Sequence, residues 1–169
     1  EVTLRTPIAL EVIREMKAAA PSLLVGAGTI LSISDLERTL TAGSDFSVSP
    51  GTFPKLSAAL LASGAPAFPG VATASEAMQR ADEGFEVMKF FPAENIGGAP
   101  ALKALTAPLA ALKFMPTGGV SLDNMRSYLS IPNVVAVGGG WLAKPADLKS
   151  CDWAGIEAKS RAALSAALS

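Results

Sequence analysis

Lys89 is the only charge in the run Val87-Met88-Lys89-Phe90-Phe91-Pro92, three residues before a proline that interrupts strand pairing. An ammonium among such side chains is costly to keep charged. Its pKa should fall, and part of it should become a free amine, the nucleophile of imine chemistry. The competing reading is a lysine whose stem packs on the fold while its head reaches water. Lys113 heads a matching stretch, Lys113-Phe114-Met115-Pro116, at the same distance from a proline, so spacing does not choose between the two. Glu94 and the Gly97-Gly98 pair downstream favour Lys89 slightly, whereas Lys113 leads into a glycine turn that it could simply frame.

Glu1 and Arg5 stand four residues apart, on one face of a regular strand. In isolation the pair reads as a structural salt bridge. In a site, Arg5 would clamp an organic carboxylate through its forked guanidinium and leave Glu1 to move protons. Two glycine clusters, Thr117-Gly118-Gly119 and Gly138-Gly139-Gly140, follow the last two strand-like runs. Glycine lets backbone amides approach phosphate oxygens, and a helix opening after Ser121 would add its N-terminal dipole. One cluster alone is ordinary turn chemistry; two after successive strands point to a phosphate. Gly26-Ala27-Gly28 lacks the third glycine and the acidic residue of a dinucleotide site. The chain has no histidine, which removes both the commonest general base and a common metal ligand. Proton transfer then falls to carboxylates, lysine, tyrosine or water, and no metal-ligand spacing is visible.

The elements that must position these residues alternate. Strand-like runs at Val2 to Arg5, Leu23 to Thr29, Phe46 to Pro50, Ala67 to Val71, Val87 to Pro92, Phe114 to Gly118 and Val134 to Gly138 recur at intervals of roughly 20 residues. Between them lie helical patterns such as Ile8, Val12, Ile13 and Met16, or Leu56, Leu60 and Leu61. Ser32, Thr73 and Ser121 read as helix starts, and Gly43, Gly64 and Gly84 as helix stops. A last helix is expected from Asp152 to about Leu168. This is α/β alternation, shared by open doubly wound sheets and closed barrels. Nearly every strand ends in a ligand-facing element, which suits a TIM (β/α)8 barrel better. Seven strands are visible, so a complete barrel would need one more βα unit, on the order of 25 to 40 residues ahead of Glu1. The expectation is an N-terminally truncated barrel, either a fragment or a chain whose first piece was removed or is supplied separately. Residues 1–169 read as a single domain.

Half of the 169 residues are hydrophobic and 17% charged, enough apolar content for a substantial core. A net charge of −1 without a basic block argues against nucleic acid or an anionic membrane as partner. No apolar run reaches the ~20 residues of a membrane helix. Cys151 is the sole cysteine, read as an inert thiol, so no disulfide framework exists and a cytoplasmic location fits.

The ordered set EVTLRT, GAGT, SPG, PG, KFFPAE with a following GG, PTGG and VGGGW closely resembles the 2-keto-3-deoxy-6-phosphogluconate (KDPG) aldolase family, over essentially the whole chain. KFFPAE and PTGG together are specific; each glycine motif alone is weak. The resemblance implies a class I barrel aldolase of the Entner-Doudoroff pathway, usually a homotrimer, using no metal. It would cleave the six-carbon keto acid phosphate reversibly to pyruvate and glyceraldehyde 3-phosphate. It implies Lys89 as the Schiff-base lysine and Glu1 as the proton carrier. Arg5, Thr29 and Thr117 would surround the pyruvyl carboxylate and hydroxyls, and Pro50 and Phe91 would shape the pocket. Gly118, Gly119, Gly138 and Gly139 would form the phosphate-binding turns. Gly140 stands where such enzymes often carry a serine or threonine, which implies a weaker phosphate grip. The alternatives are an aldolase for the galactonate epimer or 4-hydroxy-2-oxoglutarate, and a truncated core that binds phosphorylated acids without turnover.

Overall fold

The structure, a computed structural model, describes residues 1–168. They divide into two compact units, Glu1–Lys89 and the chain from Phe90 on.

In the first unit, strands β1 (Val2–Thr3), β2 (Gly26–Gly28), β3 (Phe46–Val48) and β4 (Ala67–Phe68) pair in that order, all parallel. Ala27 stands opposite both Val2 and Ser47, and Ser47 opposite Ala67. Strand β5 (Gly70–Val71) lies beside β6 (Val87–Phe90), whose last residue opens the second unit. Helices α1 (Ala9–Ala19), α2 (Ile33–Thr41), α3 (Pro54–Ala62) and α4 (Ala74–Glu83) alternate with the strands, as the periodicity predicts. Three of them bury large apolar residues, Ile13 from α1, Leu36 from α2, and Leu56 and Leu60 from α3, and Val25, Ala27, Val48 and Met88 of the strand segments are buried as well; α4 buries Ala77 and Arg80. The strands are shorter than the apolar runs suggest. Leu23 and Leu24 are 46% and 72% exposed, burial begins at Val25, and β2 begins one residue later at Gly26. Gly26 is required there, since a methyl group on it would stand 2.0 Å from the Phe46 ring.

Two expected helix starts hold. Ser32 accepts the Asp35 amide at 3.0 Å, and Thr73 forms a full capping box with Glu76, a device worth about 0.5–2 kcal/mol. Gly84 closes α4 with φ +110°, and Gly43 and Gly64 also adopt positive φ just past their helices.

The second unit contains β7 (Lys113–Pro116) and helices α5 (Gly98–Thr106), α6 (Met125–Leu129), α7 (Pro145–Lys149) and α8 (Trp153–Leu168). Phe90, Leu102, Phe114, Val120, Met125 and Tyr128 form its core. Two expectations fail here. Val134 to Gly138 makes only two isolated parallel bridges, Phe114 to Val134 and Thr117 to Gly138, so the extended segment never becomes a ladder. Ser121 does not cap a helix. Its amide instead donates to the Asn124 side chain at 2.8 Å, closing a turn that delays α6 to Met125. With only five residues, α6 supplies no useful dipole to the glycine turn before it. Among the described residues no helix is long and apolar enough to cross a membrane, and no group of three or more His, Cys, Asp or Glu could hold a metal ion.

Candidate active site

Lys89 is the third residue of β6, with its amide bonded to the Pro69 carbonyl at 2.9 Å. It is only 8% exposed, flanked along the strand by the fully buried Met88 and Phe90. Burial lowers the pKa of its amine from the ordinary value. The Glu1 carboxylate opposes that shift and the Arg5 guanidinium adds to it, so both groups stand close enough to act on the same amine. These are the conditions for a nucleophilic lysine: a desolvated head, a nearby carboxylate to carry protons and a nearby cation.

Lys113, its twin in sequence, meets a different fate. It begins β7, and its ammonium donates to the Pro132 carbonyl at 3.4 Å in an exposed setting.

Glu1 and Arg5 form no ion pair, contrary to the reading they invite in isolation. The chain turns after Thr3, where the Arg5 amide bonds the Thr3 carbonyl at 2.8 Å, so the regular spacing that would align them is lost. The Glu1 side chain instead lies across Gly28 of β2. A methyl group on Gly28 would stand 2.1 Å from Glu1 Oε1 and 2.7 Å from Cδ. Thr29 follows directly and is half-buried. Pro50 ends β3's extension; its carbonyl would be 2.0 Å from a Cβ on Gly70, which makes Gly70 the seat of the Ser49-Pro50-Gly51 turn. Ser49 beside it is 1% exposed with a hydroxyl that has no hydrogen-bond partner, and the same holds for Ser47 two residues earlier. Neither serine stands out in the sequence. The only available signal was a hydroxyl recurring at strand spacing in an otherwise apolar run.

In the second unit, Phe91 lies against Gly118, whose added Cβ would be 3.3 Å from the Phe91 ring. Thr117 bonds the Phe90 carbonyl through its amide at 3.0 Å and accepts the Ala93 amide at 2.8 Å. Its hydroxyl is buried and unpaired. Such a group costs about 1–3 kcal/mol unless something meets it, and a ligand oxygen would do so. Gly118 and Gly119 have φ of +94° and +79°, a conformation that favours glycine. Every carbonyl of that turn is taken: Thr117 by Ala93, Gly118 by the Glu94 amide at 3.0 Å, and Gly119 by the Asn124 side chain at 3.1 Å. The amides of Gly118 and Gly119 have no partner among the described residues, so they are open to an anion. Gly138 differs. Its amide is spent on the Pro116 carbonyl at 3.0 Å, and its lack of a side chain makes room for the Thr117 methyl, 2.6 Å from an added Cβ. Gly139 makes room for the Trp141 ring. A groove of about 1170 Å³ along α5 and α6, lined by Lys103, Asn124 and Ile131 among others, contains none of Thr117, Gly118, Gly138 or Gly139.

Comparison with known proteins agrees with this chemistry. The family model for KDPG and KHG aldolases matches residues 1–159. The chain is 44% identical over 164 residues to the 2-dehydro-3-deoxy-phosphogluconate aldolase of Pseudomonas aeruginosa, covering 97% of this chain and 74% of the relative. It superposes with a TM-score of 0.91 on a KDPG aldolase from Legionella pneumophila with pyruvate captured as a covalent carbinolamine intermediate, at 37% identity, covering 98% and 79% of the two chains. The KDPG aldolase of Zymomonas mobilis with 3-phosphoglycerate gives a TM-score of 0.88 at 43% identity, covering 96% and 76%. The fold class is thus that of the TIM (β/α)8 barrel, and the activity class is that of a carbon-carbon lyase. A buried, carboxylate-flanked lysine and a glycine turn with open amides are what such chemistry requires, and the chain belongs to the KDPG and KHG aldolase family.

Proposed function

We propose that this aldolase cleaves 2-keto-3-deoxy-6-phosphogluconate reversibly to pyruvate and glyceraldehyde 3-phosphate through an imine on Lys89, in the cytoplasm, as a homotrimer and without metal. The observation that carries the reading is the burial of Lys89 beside Glu1 and Arg5. The Lys89 amine adds to the C2 carbonyl, giving a carbinolamine that loses water to become a protonated imine. Glu1 takes the C4 hydroxyl proton, directly or through a water. The C3–C4 bond then breaks, its electron pair enters the imine as an enamine, and the aldehyde leaves. Protonation of C3 and hydrolysis release pyruvate and restore the amine. Arg5 and Thr29 hold the carboxylate, the Thr117 hydroxyl meets a substrate oxygen, and Pro50 and Phe91 shape the apolar walls. The Gly118-Gly119 amides take the phosphate, and Gly138 and Gly139 support that turn by making room for the Thr117 methyl and the Trp141 ring.

Borohydride reduction in the presence of pyruvate, followed by peptide mass analysis, tests this directly. The expected product is a reduced pyruvyl adduct on Lys89. No adduct, or one on Lys113, would overturn it.

Two further outcomes follow from the geometry. Gly28→Ala should push the Glu1 carboxylate off β2 and lower kcat by about tenfold to a hundredfold, since small misplacements of a catalytic group are costly. Pyruvate trapping should persist at a reduced rate, and steady-state kinetics beside a trapping time course checks both. An added side chain at Gly140 meets nothing within 4 Å, so Gly140→Ser fits and can offer a hydroxyl to the phosphate. Inorganic phosphate should then inhibit at several-fold lower concentration, as befits one extra hydrogen bond to an anion. Equal inhibition constants for the two proteins would rule that contact out.

A further inference from the structure

Glu94 and Tyr128 are used by none of the steps above, yet both press on the glycine turn. The Glu94 amide donates to the Gly118 carbonyl at 3.0 Å. Its stem fills the space beside Gly119, where an added Cβ would be 2.6 Å from both Glu94 Cβ and Cγ. Its carboxylate accepts a hydrogen bond from the Tyr128 hydroxyl and lies beside Gly98, 3.3 Å from the position of an added Cβ there. Tyr128 is fully buried in α6. Burial and the Glu94 carboxylate both push the phenol's pKa up, so it remains a proton donor throughout the physiological range.

A carboxylate next to a phosphate turn is a liability. If released, it would itself seek the open amides of Gly118 and Gly119. The phenol of Tyr128 draws the charge toward α6 and fixes the stem against Gly119. We propose that Tyr128 and Glu94 are positioning residues that brace the Gly118-Gly119 turn and keep its amides free for the substrate's phosphate, setting discrimination in favour of phosphorylated keto acids. This rests on the assignment of that turn to the phosphate in the preceding section.

The test compares Tyr128→Phe and Glu94→Ala with the unmodified chain in three assays: KM and kcat for the phosphorylated keto acid, inhibition by inorganic phosphate, and exchange of the pyruvate methyl protons with solvent. Pyruvate has no phosphate, so its exchange reports Lys89 chemistry alone. Expected for both variants is a rise of about five- to twentyfold in KM and in the phosphate inhibition constant, with kcat and pyruvate exchange within twofold. Glu94→Gln, which still accepts from the phenol, should restore most of the loss. The double variant should be no worse than the worse single one, since the two act as a unit. Unchanged KM and phosphate inhibition in folded variants would overturn the proposal. So would an equal loss in pyruvate exchange, which marks general structural damage. Absence of pyruvate exchange in the unmodified chain would instead overturn the reading of Lys89.

Discussion

Lys89→Met is expected to abolish aldol cleavage, with kcat falling about ten-thousand-fold or more, while Lys113→Met leaves it within about twofold. The size of the loss follows from what the amine does. In the proposed mechanism it forms the bond that makes C2 an electron sink, and methionine of similar length fills the same apolar slot without a nucleophile. Lys89→Arg should be as inactive, because a guanidinium stays protonated and cannot add to a carbonyl. Turnover measured with purified variants, together with loss of the borohydride adduct, checks this. Retained cleavage in Lys89→Met, or loss of cleavage in Lys113→Met, would reverse the assignment.

The same variant should also alter stability. In the folded chain the Lys89 pKa lies below its ordinary value of 10.5, chiefly because of burial. Between the folded pKa and about 10.5 the unfolded chain holds a proton that the folded chain has released, so stability rises with pH across that window. Below the window the folded state bears the full cost of the buried charge. Lys89→Met should therefore be more stable than the unmodified chain at neutral pH, with the advantage shrinking as pH approaches 10.5. Urea unfolding at a series of pH values would show it, and an advantage that grew with pH would contradict the burial argument.

Glu1→Gln is expected to lower kcat by about a hundredfold to ten-thousandfold, the usual range for removing a general acid-base group. Glutamine keeps the size of the side chain and still fits over Gly28, so the loss isolates proton transfer from packing. A second consequence separates this role from a structural one. The Glu1 carboxylate holds the Lys89 pKa up against burial and Arg5. Without that charge the amine should deprotonate at lower pH, and the acid limb of the pH dependence of imine trapping should move toward acid. A lowered kcat with an unmoved limb would place Glu1 away from the amine.

Much of the fold was legible because alternation of apolar runs and capping signals is local physics. Thr73 with Glu76, Ser32 with Asp35, and Gly84 at positive φ are decided within four residues, and each stands where expected. Errors arose where tertiary pairing overrides local preference. Val134 to Gly138 has strand-like composition, but a strand exists only through its partners and here makes only two bridges. Ser121 has the chemistry of a helix cap, yet the Asn124 side chain captures its amide first. The pair Glu1 and Arg5 lost its alignment to a backbone turn that side-chain spacing does not reveal.

By itself the sequence determined the α/β alternation, the absence of histidine chemistry and the order of motifs that marks the family, because these depend on residue types and their succession. Local spacing could not separate Lys89 from Lys113, since both lie three residues before a proline in apolar company, and within the sequence only the order of motifs singles out Lys89. Tertiary structure gives the two different surroundings. Amine reactivity depends on solvent access and on charges brought from distant positions. Only folding desolvates Lys89 beside Glu1 and Arg5 while leaving Lys113 bonded to a surface carbonyl. The roles of Gly28 and Gly119 were hidden for the same reason. What each glycine makes room for, the Glu1 carboxylate in one case and the Glu94 stem in the other, comes from another segment of chain.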